Sequence, residues 1–278
     1  MPELPEVEVV RRGLVPHVVG RKIVSASVMH PRAARRQIGG AVELAARLGG
    51  VQITGVDRRG KYLWLSAADE ALLIHLGMSG QMLVKTAGTA PHKHLRASAA
   101  LDDGQELWFV DQRTFGYWHF SELVDGVPEL VSHIAPDLLD AALDLSAISA
   151  RINARRSAIK RVLLDQTVVS GIGNIYADEM LWQAGIHGEQ AASSLSLAEI
   201  TALLRAGIDV MQRALSEGGT SFDSLYVNVN GESGYFSRSL NAYGQQGKPC
   251  KRCGTLMVRE QFAGRGSHLC PQCQRVDG

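Results

Sequence analysis

The chain has 278 residues, of which 45% are hydrophobic and 21% are charged, and its formal net charge is +1. This length predicts two domains, and the apolar fraction excludes a mainly disordered chain. No apolar run approaches the roughly 18 residues of a membrane span, so we expect no membrane partner. The first residues carry Glu3, Glu6 and Glu8 where a secretory signal would be basic and then apolar, and we expect none.

The near-zero net charge hides a separation of sign along the chain. Residues 11–61 contain eleven basic side chains and two acidic ones, whereas residues 102–144 contain ten acidic side chains and one base, Arg113. Residues 151–161 and 248–275 are basic again. Chains that bind polyanions often segregate charge in this way, although solvated surface charge without a partner gives the same pattern.

The N-terminal half has the pattern of a short helix followed by β-strands. Val7, Val10 and Leu14 have helical spacing. Short β-rich runs then extend from Lys22 to about Phe120, with a hairpin turn predicted at residues 102–104. The clearest runs are 23–28, 51–58, 62–65, 72–76, 81–84 and 106–110. About eight strands without intervening helices predict an antiparallel sandwich or barrel.

Residues 125–150 are acidic and leucine-rich, and we interpret them as a domain boundary. Beyond them the apolar period is helical. The clearest helix is predicted over residues 196–215, where Ser196 and Glu199 form a capping box and Gly218 ends the helix. Its apolar face predicts core packing and no functional site.

All four cysteines lie near the C-terminus, in two Cys-x-x-Cys pairs: Cys250, Cys253, Cys270 and Cys273. Two such pairs sixteen residues apart are typical of a closed four-thiolate zinc site, which leaves no open position and is structural. Disulfides or free thiols are the alternative. The zinc would organise a hairpin over residues 255–269, and Arg265 at its tip could aim a guanidinium at phosphate or be an incidental surface arginine.

Six motifs, in order, resemble the bacterial formamidopyrimidine-DNA glycosylases, which remove oxidised purines from DNA. They are MPELPEVE at 1–8, RGKYL at 59–63, HLGMSG at 75–80, DQRTFG at 111–116, GIGNIYADE at 171–179 and GGT at 218–220, followed by the cysteine pairs. The resemblance spans essentially the whole chain. It implies an α+β protein with a catalytic β-sandwich (1–135), a helix–two-turns–helix DNA-binding domain (136–240) and a zinc-finger hairpin (241–278).

The resemblance also implies the catalytic residues. Without its initiator methionine, Pro2 carries a secondary amine that is partly neutral at cellular pH, and its attack on a sugar C1′ gives an iminium. Glu3 would be the general acid–base, Lys61 would contact the phosphate beside the lesion, and Arg265 would support δ-elimination. Taken alone, Pro2 and Glu3 fit a helix start and Lys61 fits an exposed strand edge. Glu6 stays secondary.

Binding to the DNA backbone is expected from five residues: His92, Arg113, Arg156, Lys160 and Asn174. His92 lies in a His-Lys-His segment that alone would indicate a weak metal pair or a solvated loop. Asn174 precedes a predicted helix, where it could bind phosphate or simply cap the helix. Arg156 stands where members of the family often have lysine, and either side chain supports phosphate binding.

Excision within a duplex requires the nucleotide to leave the base stack. The resemblance implies that Met78, Arg113 and Phe115, which we name the wedge residues, fill the gap. Buried Met and Phe are ordinarily core residues, but adjacent glycines favour exposed loops here. Gln112 and Thr114 depart from the proline and second arginine common in the family, which leaves the opposite-base preference open. A loop near residues 221–235 would cover the extruded base.

The expected protein is therefore a bifunctional glycosylase and AP lyase of base excision repair. It would be a cytoplasmic monomer with one structural Zn²⁺, acting on double-stranded DNA that contains oxidised bases or abasic sites. Two alternatives are an endonuclease VIII-like enzyme for oxidised pyrimidines and a non-catalytic zinc-finger protein that binds lesions. Leu4 and the wedge residues argue against the first, and the presence of Pro2 and Glu3 argues against the second.

Overall fold

The computed structural model describes residues 2–219, 229–230 and 235–276, and the chain divides into two units. The N-terminal unit comprises residues 1–133 and 217–235, and the C-terminal unit comprises residues 134–216 and 236–278. Most of the loop expected near residues 221–235, and Met1, lie outside the described residues. The three domain boundaries given above stay predictions.

The N-terminal unit contains two antiparallel sheets and two α-helices. The helices are α1 (Leu4–Val18) and α2 (Gly40–Leu48), and 3₁₀ turns cover Pro31–Ala34 and Glu129–Val131. The strands are β1 (Ile23–Val28), β2 (Gly55–Arg59), β3 (Tyr62–Ala67), β4 (Glu70–His75), β5 (Gly80–Thr86), β6 (Leu95–Leu101), β7 (Gln105–Asp111), β8 (Tyr117–Val124) and β9 (Val127–Pro128). One sheet has the order β1-β6-β7-β5 and the other β2-β3-β4-β8-β9.

One large apolar core receives side chains from both sheets and from α1. Phe109 on β7 and Trp118 on β8 are buried with ring centroids 5.9 Å apart, and Leu14 of α1 belongs to the same cluster. Two sheets that share one core form a sandwich, so the predicted architecture of this unit is confirmed.

One detail of the expected sandwich is wrong: a helix does interrupt the strands. In α2, Leu44 and Leu48 are four residues apart and both are buried in the core, while Val42 points to solvent. This i,i+4 pair is enough to bury one face of a short helix. The helix α1 also continues past Leu14 to Val18, because Val18 is buried as well.

The C-terminal unit is helical, with one small hairpin. Its elements are α3 (Leu145–Asn153), α4 (Ile159–Leu163), α5 (Asn174–Ala184), α6 (Leu197–Ser216), β10 (Val258–Phe262) and β11 (Arg265–Leu269), with 3₁₀ turns at Ala192–Ser194 and Phe236–Arg238. The helix α6 packs against α3 and α5 through its predicted apolar face. Its capping box is present, since Ser196 N–H donates to Glu199 Oε2 over 2.7 Å and Glu199 N–H donates to Ser196 Oγ over 3.2 Å.

The α+β fold class is thus confirmed. Within the described ranges, no helix combines the length and the apolar character that crossing a bilayer requires.

We predict that Leu63→Ala destabilises the N-terminal unit by about 2–5 kcal/mol, because it leaves a cavity in the shared core. Leu63 is fully buried, whereas Val24 on β1 is 60% exposed and serves as the control. Urea unfolding followed by tryptophan fluorescence measures the change, since Trp64, Trp108 and Trp118 lie in this unit. Equal midpoints for Leu63→Ala and Val24→Ala would contradict the described core.

Candidate active site and zinc centre

Two candidate catalytic residues lie at the start of α1. Pro2 and Glu3 are buried and lie directly before the helix. Glu3 N–H donates to Glu6 Oε2 over 2.9 Å, as part of a reciprocal capping box between the two glutamates. Gly219 packs against this helix start, since a Cβ there would lie 3.4 Å from the Glu6 side chain. The segment that carries Pro2 is therefore fixed by the helix that follows it.

Lys61 occupies a two-residue turn that is joined to α1. Strands β2 and β3 are connected by Gly60 and Lys61 alone. Arg58 Nη1 donates to the Gly60 carbonyl over 3.1 Å, and Arg58 Nε lies 3.0 Å from a carboxylate oxygen of Glu8 on α1. The turn that presents Lys61 is thus connected through one guanidinium to the helix that begins beside Pro2.

Glu8 is the centre of this connection. Its carboxylate also accepts from Arg11 Nε over 2.9 Å and from Arg12 Nε over 2.7 Å. Burial alone would raise the pKa of Glu8, but hydrogen bonds from Arg11, Arg12 and Arg58 lower it to about 2. Glu8 is therefore ionised at pH 7.

His75 at the end of β4 is a buried imidazole that the sequence analysis did not select. Its ring lies between Tyr62 and Tyr117, with centroid distances of 4.7 and 5.4 Å. Burial, with the nearby positive charges of Arg35 and Lys61, lowers the pKa of His75 to about 4. The imidazole is consequently neutral at pH 7. The charge of Lys61 is one of those that lower its pKa, so the two side chains interact electrostatically.

The wedge residues lie on two loops that touch each other. The first loop (77–79) carries Met78, which is 37% exposed, and the second loop (112–116) carries Phe115, which is 42% exposed. The Arg113 guanidinium lies over the Phe115 ring, 5.5 Å from its centroid. Gly77 has φ +61°, and a Cβ there would overlap backbone atoms of the second loop. Exposure on loops is confirmed for the two apolar side chains.

Two arginines that follow β1 satisfy the carbonyl groups of the second loop. Arg35 donates to the carbonyls of Phe115 and Gly116, each over 2.6 Å, and Arg32 Nε donates to the Thr114 carbonyl over 3.2 Å. Thr114 has φ +56°, which is strained for a β-branched residue. These donors hold the strained loop in place.

His92, the remaining candidate DNA contact of this unit, lies exposed in the loop before β6. Its Nδ1 accepts the backbone N–H of His94 over 3.1 Å, which fixes the ring relative to the loop. The rings of His92 and His94 are 5.6 Å apart.

In the C-terminal unit, Arg156 is exposed in the loop between α3 and α4, as expected for a phosphate contact. Lys160 differs from this expectation. It is completely buried, with Nζ 2.5 Å from Asp178 Oδ1 and 2.8 Å from Ser267 Oγ, and it lies 5.1 Å from the centroid of the Phe262 ring. A buried ammonium paired in this way supports the finger hairpin instead of reaching a phosphate.

Asp178 on α5 binds the hairpin with both carboxylate oxygens. Oδ1 receives the Lys160 ammonium and accepts from Ser267 Oγ over 3.3 Å. Oδ2 accepts the His268 backbone N–H over 2.9 Å and lies 3.0 Å from its Nδ1. Asn174, the first residue of α5, donates from Nδ2 to the Gly266 carbonyl over 2.8 Å. Strand β11 is therefore joined to α5 at three successive residues, 266, 267 and 268.

Arg265 stands next to this joined segment. It is exposed and opens β11 after a two-residue turn of Ala263 and Gly264. The arrangement gives an exposed guanidinium a hydrogen-bonded backbone beside it, which suits a phosphate-binding arginine.

The four cysteines form a site of the size that one zinc ion requires. Their Sγ atoms all lie within 4.8 Å of one another, and tetrahedral zinc with Zn–S bonds of about 2.3 Å separates its sulfurs by about 3.8 Å. Although burial opposes ionisation, the Arg252 backbone N–H and the Trp182 indole N–H lower the pKa of Cys250 to about 6. The donor set fits a structural zinc, which would hold the hairpin that carries Arg265.

Five residues that support the candidate sites described above were not selected from the sequence: Glu8, His75, Ser79, Asp111 and Asp178. Each of them nevertheless lies inside one of the quoted motifs. The motifs themselves could have identified these residues, because a motif contains the residues that support a site as well as those that form it.

Three family models match the chain. They are the formamidopyrimidine-DNA glycosylase N-terminal domain over residues 1–118, the H2TH domain of the same enzymes over 134–225, and the zinc finger found in FPG and IleRS over 247–276. Formamidopyrimidine-DNA glycosylases of Corynebacterium efficiens and Mycobacteroides abscessus are 64% and 58% identical to it. These alignments cover 99% of this chain and 100% and 99% of the relatives.

Comparison with solved structures leads to the same family. Lactococcus lactis Fpg bound to abasic-site DNA has a TM-score of 0.88 at 35% identity, covering 98% of this chain and 99% of that one. MutM in complex with DNA containing carbocyclic 8-oxo-G has a TM-score of 0.88 at 36% identity, covering 99% and 100%. The wild-type L. lactis enzyme with an oxidised pyrimidine in DNA has a TM-score of 0.88 at 35% identity, with the same coverage. The chain belongs to the formamidopyrimidine-DNA glycosylase family.

We predict that Cys253→Ser releases the zinc ion, because three thiolates leave the tetrahedral site incomplete. Metal analysis should fall from one zinc per chain to near zero. Hydrogen exchange of β10 and β11 should accelerate, while the urea transition of the N-terminal unit stays at its original midpoint. Retention of one zinc per chain would show that the four cysteines do not form the site.

Proposed function

We propose that this protein is a bifunctional DNA glycosylase and AP lyase of base excision repair that acts on oxidised purines in duplex DNA. The observation that carries the proposal is the placement of Pro2 and Glu3 at the start of α1, in a chain that belongs to this family throughout its length. With Met1 removed, the Pro2 nitrogen is a secondary amine and can act as a nucleophile.

The chemistry follows from that amine. The Pro2 nitrogen attacks C1′ of the damaged nucleotide, the C1′–base bond breaks, and the base leaves with a proton. The Pro2 nitrogen then loses its own proton, and the C1′–O4′ bond opens with protonation of O4′, which leaves C1′ doubly bonded to nitrogen. The resulting iminium withdraws electrons and acidifies the C2′ proton, whose removal expels the 3′ phosphate by β-elimination. A second elimination expels the 5′ phosphate. One covalent intermediate therefore supports both base removal and strand cleavage.

Three further residues assist these steps in the proposal. Glu3, buried beside Pro2, acts as general acid–base for base loss and opening of the sugar ring. Lys61 contacts the phosphate beside the lesion and supports β-elimination. Arg265, exposed on the finger hairpin, binds phosphate and supports δ-elimination. The zinc ion takes no part in the reaction and holds the hairpin, so its loss in Cys253→Ser is also expected to abolish duplex binding.

DNA binding is assigned to groups that lie at the surface of each unit. His92 and Arg113 serve in the N-terminal unit, and Arg156 and the half-buried Asn174 serve in the C-terminal unit. Lys160 contributes by positioning the finger hairpin, because its ammonium is buried. The wedge residues fill the space that the extruded nucleotide leaves.

The preferred lesions are proposed to be 8-oxoguanine and formamidopyrimidines. MutM, which resembles this chain along its full length, has been solved with an 8-oxo-G analogue in DNA, and this supports the preference. The L. lactis relative with an oxidised pyrimidine in its DNA keeps an endonuclease VIII-like range as the second candidate. Comparing excision of 8-oxoguanine and of an oxidised pyrimidine from otherwise identical duplexes decides between them. We further propose that the protein works as a cytoplasmic monomer bound to the nucleoid.

We predict that sodium borohydride traps this protein on duplex DNA containing 8-oxoguanine, because reduction converts the iminium to a stable amine. Peptide mapping by mass spectrometry should place the adduct on Pro2. Pro2→Gly, which keeps an N-terminal amine, should retain part of the trapping, and an N-terminal extension that cannot be removed should abolish it.

Lys61 is the competing amine in this experiment and therefore its internal control. An adduct on Lys61, or full activity with Met1 still attached, would overturn the proposed mechanism. Absence of any adduct on a duplex that the protein binds would favour a non-catalytic lesion-binding protein.

We predict that Met78→Ala and Phe115→Ala each slow excision of 8-oxoguanine from duplex about tenfold or more, with a much smaller effect on cleavage at a preformed abasic site. Only a base that must still leave the stack needs help to do so, and extrusion costs a few kcal/mol. Single-turnover rates on the two duplexes provide the measurement. Equal slowing on both would assign these side chains to general DNA binding.

A further inference from the structure

One fully buried carboxylate joins the two loops that carry the wedge residues. Ser79 Oγ donates to Asp111 Oδ1 over 2.5 Å, and Gly116 N–H donates to Asp111 Oδ2 over 2.7 Å. The Arg113 N–H points at both Ser79 Oγ and Asp111 Oδ1, at 2.9 and 3.2 Å. Ser79 follows Met78 on the first loop, so both loops bind the same carboxylate.

The sheet holds Asp111 itself in place. It pairs with Gly80 across β5 and β7, its N–H donates to the His94 carbonyl over 2.9 Å, and its carbonyl accepts from Arg96 Nε over 2.7 Å. A residue fixed through its backbone on two sides presents its carboxylate at a constant position. Hydrogen bonds to that carboxylate therefore align the two loops with each other.

We propose that Ser79 is a positioning residue for base extrusion, which couples the Met78 loop to the Arg113 and Phe115 loop through Asp111. The inference rests on the proposed function and adds to it the group that makes the wedge residues act together. A wedge that displaces a stacked base must resist being pushed back, and exposed side chains on short loops resist only if their backbones are held.

The alternative connection between the loops is weaker. Gly77 packs against the second loop by backbone contact, which limits approach but supplies no directed bond. Without the Ser79 hydroxyl, the first loop loses its bond to Asp111 and the Arg113 N–H keeps only its longer one, at 3.2 Å. Alanine is smaller than serine, so the buried site accepts it and the sandwich still folds.

The test compares Ser79→Ala with a matched control, Ser66→Ala, in the full-length zinc-loaded protein. Ser66 Oγ also donates to a carboxylate, that of Asp57 over 2.9 Å, in the same unit but away from the two loops. Single-turnover rates are measured on duplex containing 8-oxoguanine and on the same duplex with a preformed abasic site. For Ser79→Ala we expect about a tenfold loss on the first substrate and less than about twofold on the second, as for one lost charged hydrogen bond. Ser66→Ala should match the wild type on both.

A second measurement examines whether Ser79 acts by positioning the wedge residue Met78. In a Met78→Ala background, Ser79→Ala should slow excision by no more than about a further twofold, because the side chain that it positions is already gone. A further tenfold loss in that background would overturn the inference, as would equal slowing on both duplexes or an unchanged rate in the single variant.

The two proposals fail in different ways. If the wild-type protein neither excises 8-oxoguanine nor cleaves the abasic duplex, the proposed function fails and the role of Ser79 fails with it. If the wild type does both and Ser79→Ala matches Ser66→Ala, only the role of Ser79 fails.

Discussion

A carboxylate removed from water must receive hydrogen bonds or positive charge on its oxygens, and this requirement organises each candidate site of the protein. Asp111 meets it with a serine hydroxyl and two backbone N–H groups, and Glu8 meets it with three guanidinium groups. Asp178 meets it with an ammonium and the backbone and ring nitrogens of His268. In each case the donors come from different elements, so satisfying the carboxylate also fixes those elements relative to one another.

The side chains proposed to touch DNA are not these buried carboxylates, although they lie close to them. Met78, Phe115 and Arg265 are exposed, and exposed side chains contribute little to stability. Neighbouring residues, in contrast, are hydrogen-bonded to other elements: Ser79 and Gly116 to the buried Asp111, and Gly266 to the half-buried Asn174. At these three positions the side chain proposed to touch DNA differs from the neighbouring residue that holds it, and a substitution in the second class is expected to affect alignment before it affects folding.

The sequence predicted those features whose signals are local. The α6 capping box, the β10–β11 hairpin and the four-cysteine site each depend on residues within about thirty positions, and all three were found. Strand β6 (Leu95–Leu101) was not among the clearest runs, because its alanines and serines have little β-propensity. It becomes a strand by pairing with β1 and β7, which no local pattern reveals.

Candidate site residues also divide into those with a local sequence signal and those whose role depends on distant residues. Pro2, Lys61 and the cysteines were selected because their chemistry is recognisable from residue type and motif. Lys160 was expected to bind the DNA backbone, whereas its ammonium is buried against Asp178 and Ser267, which lie 18 and 107 positions away in the sequence. Asp111 was not selected from the sequence, since its role depends on Ser79, 32 positions away.

The contact between Gly77 and the second loop is made by main-chain atoms, and this has a consequence for how the enzyme can change over time. The shape of both loops is set by backbone packing and by Asp111, not by the side chains that the loops present. An exposed side chain such as that of Gln112 can therefore be replaced without rebuilding the loop beneath it. If these loops extrude the base as proposed, discrimination between bases can change through exposed side chains while the backbone support of both loops stays the same.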